Sequence, residues 1–142
     1  MAIPVLILGE SGSGKSTSLR NFEPGEIGIF NVASKPLPFR KKLPKVDTSD
    51  YKKIMAGMFN RPNIKSFVID DSQYLMAFAM FDKAKETGYG KFTEIALDFR
   101  NLVDFVINKL PNDTIVYFLH HVDRSDDGRT KAKTSGKMID NQ

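Results

Sequence analysis

Eight residues near the start of the chain carry its clearest chemical signal. Gly9-Glu10-Ser11-Gly12-Ser13-Gly14-Lys15-Ser16 satisfies the spacing G-x-x-x-x-G-K-[ST] at every defined position. The glycines let the backbone turn tightly, so that successive N–H groups converge on one concavity suited to an anion. A helix beginning there adds the positive end of its dipole. Lys15 has the reach and charge for β- and γ-phosphate oxygens, and the Ser16 hydroxyl suits Mg²⁺. Thr17 is expected to line the same site without touching the metal. The ligand this chemistry implies is a nucleoside triphosphate, ATP with Mg²⁺.

Two further clusters end apolar runs. Phe67-Val68-Ile69 is followed by Asp70 and Asp71. Asp70 is placed to hold Mg²⁺ directly or through water, and Asp71 to orient or activate an attacking water by accepting its proton. The competing reading makes each an aspartate at a strand–helix junction, with Asp71 or Ser72 capping the helix that follows. Thr114-Ile115-Val116-Tyr117-Phe118-Leu119 ends in His120 and His121. In one large division of phosphate-loop proteins, a strand lying between the loop strand and the acidic strand carries a polar residue that senses the γ-phosphate. His120 and His121 are the candidates, and strand alternation lets only one of them face the nucleotide. An ordinary pair of strand-end histidines is the alternative.

The elements that must hold these residues follow from periodicity. Residues 3–8, 27–32, 66–70 and 114–120 read as buried strands. Helices are expected at 15–22, from a cap at Thr48 or Ser49 to Phe59, at 73–86 with apolar residues on nearly all faces at first, and at 92–110. Arg61-Pro62-Asn63 and Pro111-Asn112-Asp113 are turns, and Gly88 and Gly90 separate the last two helices. Three prolines between Pro36 and Pro44 make that stretch an extended surface segment. From Asp123 the chain is polar and reads as a loop, whose lysines could contact DNA phosphates or reach a neighbouring subunit's nucleotide, with a mobile polar hairpin as the alternative. Strands alternating with helices argue for an α/β fold, a parallel sheet covered on both faces.

Composition agrees with one soluble domain. The chain has 142 residues, 41% hydrophobic and 27% charged, which is ordinary for a globular protein. Without cysteine there are no disulfides and no thiolate metal sites, which favours an intracellular setting. The N-terminal apolar run lacks a basic region before it and leads into the glycine loop, so no signal peptide is expected. No apolar run approaches the ~20 residues needed to span a bilayer. The net charge is +4, and residues 31–65 hold nine Lys/Arg against two Asp. That excess is either a footprint for nucleic acid or a solvated lysine-rich connection.

Taken together, GESGSGKST, FVIDDSQYL, YFLHHVD and KTSGKMIDN resemble a family of bacteriophage-encoded AAA-type, RecA-like ATPases found beside single-strand annealing and recombination genes. The resemblance covers nearly the whole chain. It implies a phosphate-loop NTPase three-layer sandwich, with a RecA-like parallel sheet and helices on both faces. It also implies binding of ATP and single-stranded DNA, a homo-oligomer with nucleotide at subunit contacts, and a place in the host cell cytoplasm. By position it assigns phosphate binding to residues 9–16, Mg²⁺ to Asp70, the sensor role to His120 or His121, and a contact to nucleotide or DNA to Lys137. Two departures stand out. RecA-like ATPases usually carry a catalytic glutamate just after the second strand, where this chain has Phe30-Asn31-Val32-Ala33-Ser34. The family's core also continues with at least one more strand, and a sheet lacking it presents an edge that needs a partner or cover.

The leading expectation is a DNA-dependent recombination ATPase. A nucleoside or nucleotide kinase would carry the same loop, although no acceptor motif is evident. A nucleotide-gated assembly module with little turnover is the third reading, favoured by the missing glutamate.

Overall fold

A computed structural model describes residues 1–9, 22–23, 25–33, 45–124 and 130–132, with the backbone alone for 121–124 and 130–132. Five strands form a parallel sheet: β1 (Ile3–Gly9), β2 (Ile27–Asn31), β3 (Lys45–Asp47), β4 (Ser66–Asp70) and β5 (Ile115–Arg124). Their spatial order is β1-β5-β4-β2-β3, so β5 lies between β1 and β4. Three helices complete the described elements, α1 (Tyr51–Phe59), α2 (Gln73–Asp82) and α3 (Gly90–Lys109). The fold is therefore α/β.

The strands form where apolar runs are bounded by turns, and alternation along them divides the core in two. Phe30, Phe67, Ile69, Val116 and Phe118 point to one side, where they meet Ile54 and Met58 of α1, Leu75 of α2, and Leu102 and Val106 of α3. The Phe30 and Phe67 rings stack with centroids 6.2 Å apart. Burying each of these side chains contributes about 1.5–3 kcal/mol. Ile27, Ile29, Val68 and Leu119 point to the other side and pack with Ile7, Phe22 and Tyr117. The helix expected at 15–22 falls almost wholly outside the described residues, as do the proline-rich segment and Lys137. At the β1 end of the sheet, Ile3, Leu6 and Leu8 are about half exposed, and among the described residues no strand pairs with the outer side of β1.

Several local expectations change. The α1 cap is Asp50, whose carboxylate accepts from the Lys52 N–H at 2.9 Å. Thr48 instead accepts from the Asp50 N–H, two residues upstream of where the cap stands. Helix α2 stops at Asp82, four residues short of expectation, because the polar run from Asp82 to Glu86 offers no apolar face to pack. Phe81 at its end is 76% exposed. Strand β3 was not expected. Its three residues pair with β2 from Ile29↔Lys45 to Asn31↔Asp47, and a run so short carries no readable period. The strand expected to end at His120 and the loop expected from Asp123 are both corrected: β5 continues to Arg124 and pairs antiparallel with β6 (Thr130–Ala132), a ladder made by backbone groups whatever the side chains. No helix among the described residues is long and apolar enough to cross a membrane.

Candidate functional site

Because the five strands run parallel, their carboxyl ends share one rim, the side on which open α/β sheets bind ligands. Gly9, the first residue of the glycine loop, ends β1 level with His121 of β5. Asp70 ends β4 level with Leu119 on one side and Asn31 on the other. The rim thus collects Gly9, Asn31, Asp70 and the two histidines. Of the loop residues, only Gly9 is described; Glu10, Ser11, Gly12, Ser13, Gly14, Lys15, Ser16 and Thr17 lie outside the described residues.

Asp70 is 4% exposed. A carboxylate costs a great deal to bury unless it is paired, hydrogen-bonded or bound to a metal. Among the described residues no group of three or more His, Asp or Glu could by itself hold a metal ion. A Mg²⁺ ion shared with phosphates needs only one or two carboxylates, the remaining positions being phosphate oxygens and waters. A single buried Asp70 is compatible with that requirement.

Asp71 follows with φ of 57°, the left-handed region that aspartate tolerates better than most residues. This turn is pinned from both sides. The Ser72 N–H donates to the Leu119 carbonyl at 2.9 Å, and the Tyr74 N–H to the Asp71 carbonyl at 3.0 Å. Asp71 is half-buried.

Comparison with models of known protein families and with curated proteins finds no match. What the rim does must be read from its own chemistry.

His120 is 3% exposed. Its ring meets Phe99 of α3 edge-on, with centroids 6.3 Å apart, and its Nδ1 lies 2.9 Å from the Ser72 hydroxyl. Ser72 is fully buried and occupies the N-cap position of α2, yet its side chain makes no capping bond. A serine cap is worth about 1 kcal/mol to a helix. Here the hydroxyl turns across the sheet instead, to His120 and, at 3.3 Å, to the Leu119 carbonyl. The capping alternative for Ser72 is therefore not what forms. Along β5 only the backbone of His121 is described.

Two rim residues were missed in the sequence. Asn31 is 1% exposed and sits beside Asp70. The signal was present: it is the polar end of an apolar strand, the same pattern that singled out Asp70 and His120. Ser72 had no such signal, because its partner is 48 residues away.

Proposed function

We propose that this chain is a Mg²⁺-dependent ATPase with a RecA-like, phosphate-loop core, acting on single-stranded DNA in phage recombination or annealing. The observation that carries the reading is the position of β5 between β1 and β4. It sets His120 and His121 between the strand that leads into the glycine loop and the strand that ends in Asp70-Asp71. A loop strand, a polar-tipped strand and an acidic strand side by side suit a γ-phosphate held at one end of the sheet.

In this reading the loop N–H groups and Lys15 hold the triphosphate. Ser16 and Asp70 would hold Mg²⁺, which would offset charge on the phosphate oxygens. Asp71 holds a water in line and accepts its proton as the water oxygen bonds to the γ-phosphorus. The bond from that phosphorus to the β–γ bridging oxygen breaks, and ADP leaves with the electron pair. His120 or His121 meets the oxygens of the transferred phosphoryl group as the sensor. Exposed aromatics support the DNA part of the reading: Phe81 and Tyr89 are 76% and 75% exposed around the α2–α3 turn, near Lys85 and Lys91, the mix of ring faces and cations that single strands use. Association of several copies, with nucleotide at their contacts, belongs to the same proposal.

One observation favours a second reading, a nucleotide-gated assembly module with little turnover. The tip of β2 carries the neutral Asn31 where RecA-like ATPases usually carry glutamate.

The deciding experiment is phosphate release from ATP and Mg²⁺, with and without single-stranded DNA, beside Lys15→Ala. DNA-stimulated release that vanishes in the variant supports the ATPase. Tight ATP binding without release in either condition refutes it and leaves the gated module.

A further inference from the structure

We infer that the outer edge of β1 is a docking surface for a second copy of this chain, the two β1 strands pairing antiparallel about a two-fold axis at Leu6. The inference stands apart from the nucleotide reading: the surface is an edge of the sheet, and the contact needs no ATP.

The backbone sets the geometry. The Ile3 N–H donates to the Thr114 carbonyl at 3.0 Å, and Ile3 pairs with Ile115 in a parallel ladder. Successive residues of a strand turn their backbone groups to opposite sides. Ile3, Val5, Ile7 and Gly9 therefore direct theirs to β5, and Pro4, Leu6 and Leu8 direct theirs outward. Pro4 lacks an N–H and stands where the sheet needs none. The outward set matches itself. With Leu6 opposite the partner's Leu6, the two exchange both N–H···O bonds, and each Leu8 N–H meets the partner's Pro4 carbonyl. Every outward N–H of both strands is then satisfied. Leu6 is the midpoint of β1 (Ile3–Gly9), so this register overlaps the whole strand, and a slip either way leaves one end unpaired.

The side chains agree. Pro4, Leu6 and Leu8 share one face, where Leu6 and Leu8 are 53% and 46% exposed. Pairing sets Leu6 against its copy and Leu8 against the partner's Pro4. Residues 1–9 carry no charged side chain, so no like charges meet across the contact. The opposite edge of the sheet is guarded. Strand β3 has three residues and bears the Lys45–Asp47 ion pair at 2.6 Å, the short, charged kind of edge that discourages strand addition. One open edge per chain gives a closed dimer and not a growing fibre.

Sedimentation of the full chain without nucleotide should show a particle of twice the chain's mass, dissociating on dilution. Adding ATP with Mg²⁺ should leave that mass unchanged. Leu6→Lys, at a half-exposed position, sets like charges directly opposite each other and should weaken the dimer about tenfold or more. The chain has no cysteine, so Leu6→Cys supplies a single one. Its Cα should lie about 5.5 Å from its copy, inside the roughly 4.4–6.8 Å that a disulfide spans, and mild oxidation should give a covalent dimer. Leu8→Cys, opposite Pro4, should cross-link far more slowly. The two cysteine variants read the register even if Leu6→Lys fails to fold. A monomer at every concentration overturns the inference, whether the edge is bare or covered by another stretch of the same chain. A dimer that survives Leu6→Lys, that forms only with ATP, or that cross-links equally well through Leu8→Cys also overturns it. None of these outcomes depends on whether the chain binds ATP, so the nucleotide reading is tested separately.

Discussion

Asn31 and Asp70 are register partners at the carboxyl ends of β2 and β4, and both are buried. The neutral amide lets the carboxylate beside it remain the single acidic group at that level of the β2–β4 ladder. Asn31→Asp would put two carboxylates on neighbouring buried positions, where like charges disfavour ionisation. The added carboxyl would then have a folded pKa above its unfolded value of about 3.9. Its destabilising effect is present at neutral pH and is relieved as pH falls towards that value. We expect a loss of about 1–3 kcal/mol at neutral pH. Thermal unfolding at pH 7.5 and pH 5 reads this directly, and equal midpoints for variant and wild type at pH 7.5 would refute the adjacency.

The left-handed backbone of Asp71 separates chemistry from strain. Asp71→Asn and Asp71→Gly should both fold normally, since each tolerates a φ of 57°. Asp71→Val should lose about 1–2 kcal/mol, because a β-branched side chain is poorly tolerated in that region and has no polar group for local hydrogen bonding. If Asp71 is the proton acceptor, Asp71→Asn should lower ATP turnover by about 10²-fold or more while leaving stability unchanged. Turnover near the wild-type rate in a well-folded Asp71→Asn protein would remove Asp71 from the mechanism.

Gly28 faces the Phe67 ring across the β2–β4 ladder. A β-carbon built there would lie 2.6 Å from Phe67 Cδ1, and Phe67 is held by its stack on Phe30. Gly28→Ala should therefore cost about 1–3 kcal/mol by overpacking. Urea denaturation measures it, with a neutral or stabilising change as the contrary result.

Tyr51 begins α1 with its hydroxyl buried and, among the described residues, without a hydrogen-bond partner. Burial, and to a lesser degree the Asp98 carboxylate, raises its pKa above the ordinary 10.0. The folded state thus holds the phenol proton more tightly than the unfolded chain does. The stability tied to this proton is fully present below pH 10 and is lost as pH rises through the alkaline range. Tyr51→Phe should match or exceed wild-type stability at neutral pH, since an unsatisfied buried hydroxyl is removed. It should also lose less stability than wild type between pH 9 and pH 11. Parallel curves over that range would argue against a buried, protonated phenol.

For the DNA part of the proposal, Phe81→Ala and Tyr89→Ala should each weaken single-strand binding by about 1–3 kcal/mol if bases stack on these rings. ATP binding should be unaffected. Unchanged affinity in a fluorescence anisotropy titration of the double variant would move the DNA surface elsewhere.

By itself, the sequence determined what is local. Strands at residues 3–8, 27–32 and 66–70 were readable because continuous apolar runs end at glycine, at a turn or at a charge. Helix α3 was readable because Ile95, Leu102, Val106 and Leu110 recur on one face, and all four are buried. The acidic pair and the histidine pair announced themselves as polar ends of apolar strands. Tertiary structure decided which of these ends meet. Nothing within residues 114–120 says that β5 slips between β1 and β4, because strand order depends on pairings across tens of residues. Ser72 looked like a helix cap in its own neighbourhood, and only the arrival of Leu119 and His120 on β5 gives its hydroxyl other partners. Asn31 gained its place in the site the same way, when pairing of β2 with β4 brought a buried amide level with Asp70. A hydrogen bond or a register pair between distant segments leaves no period in the chain, so folding alone could settle these partnerships.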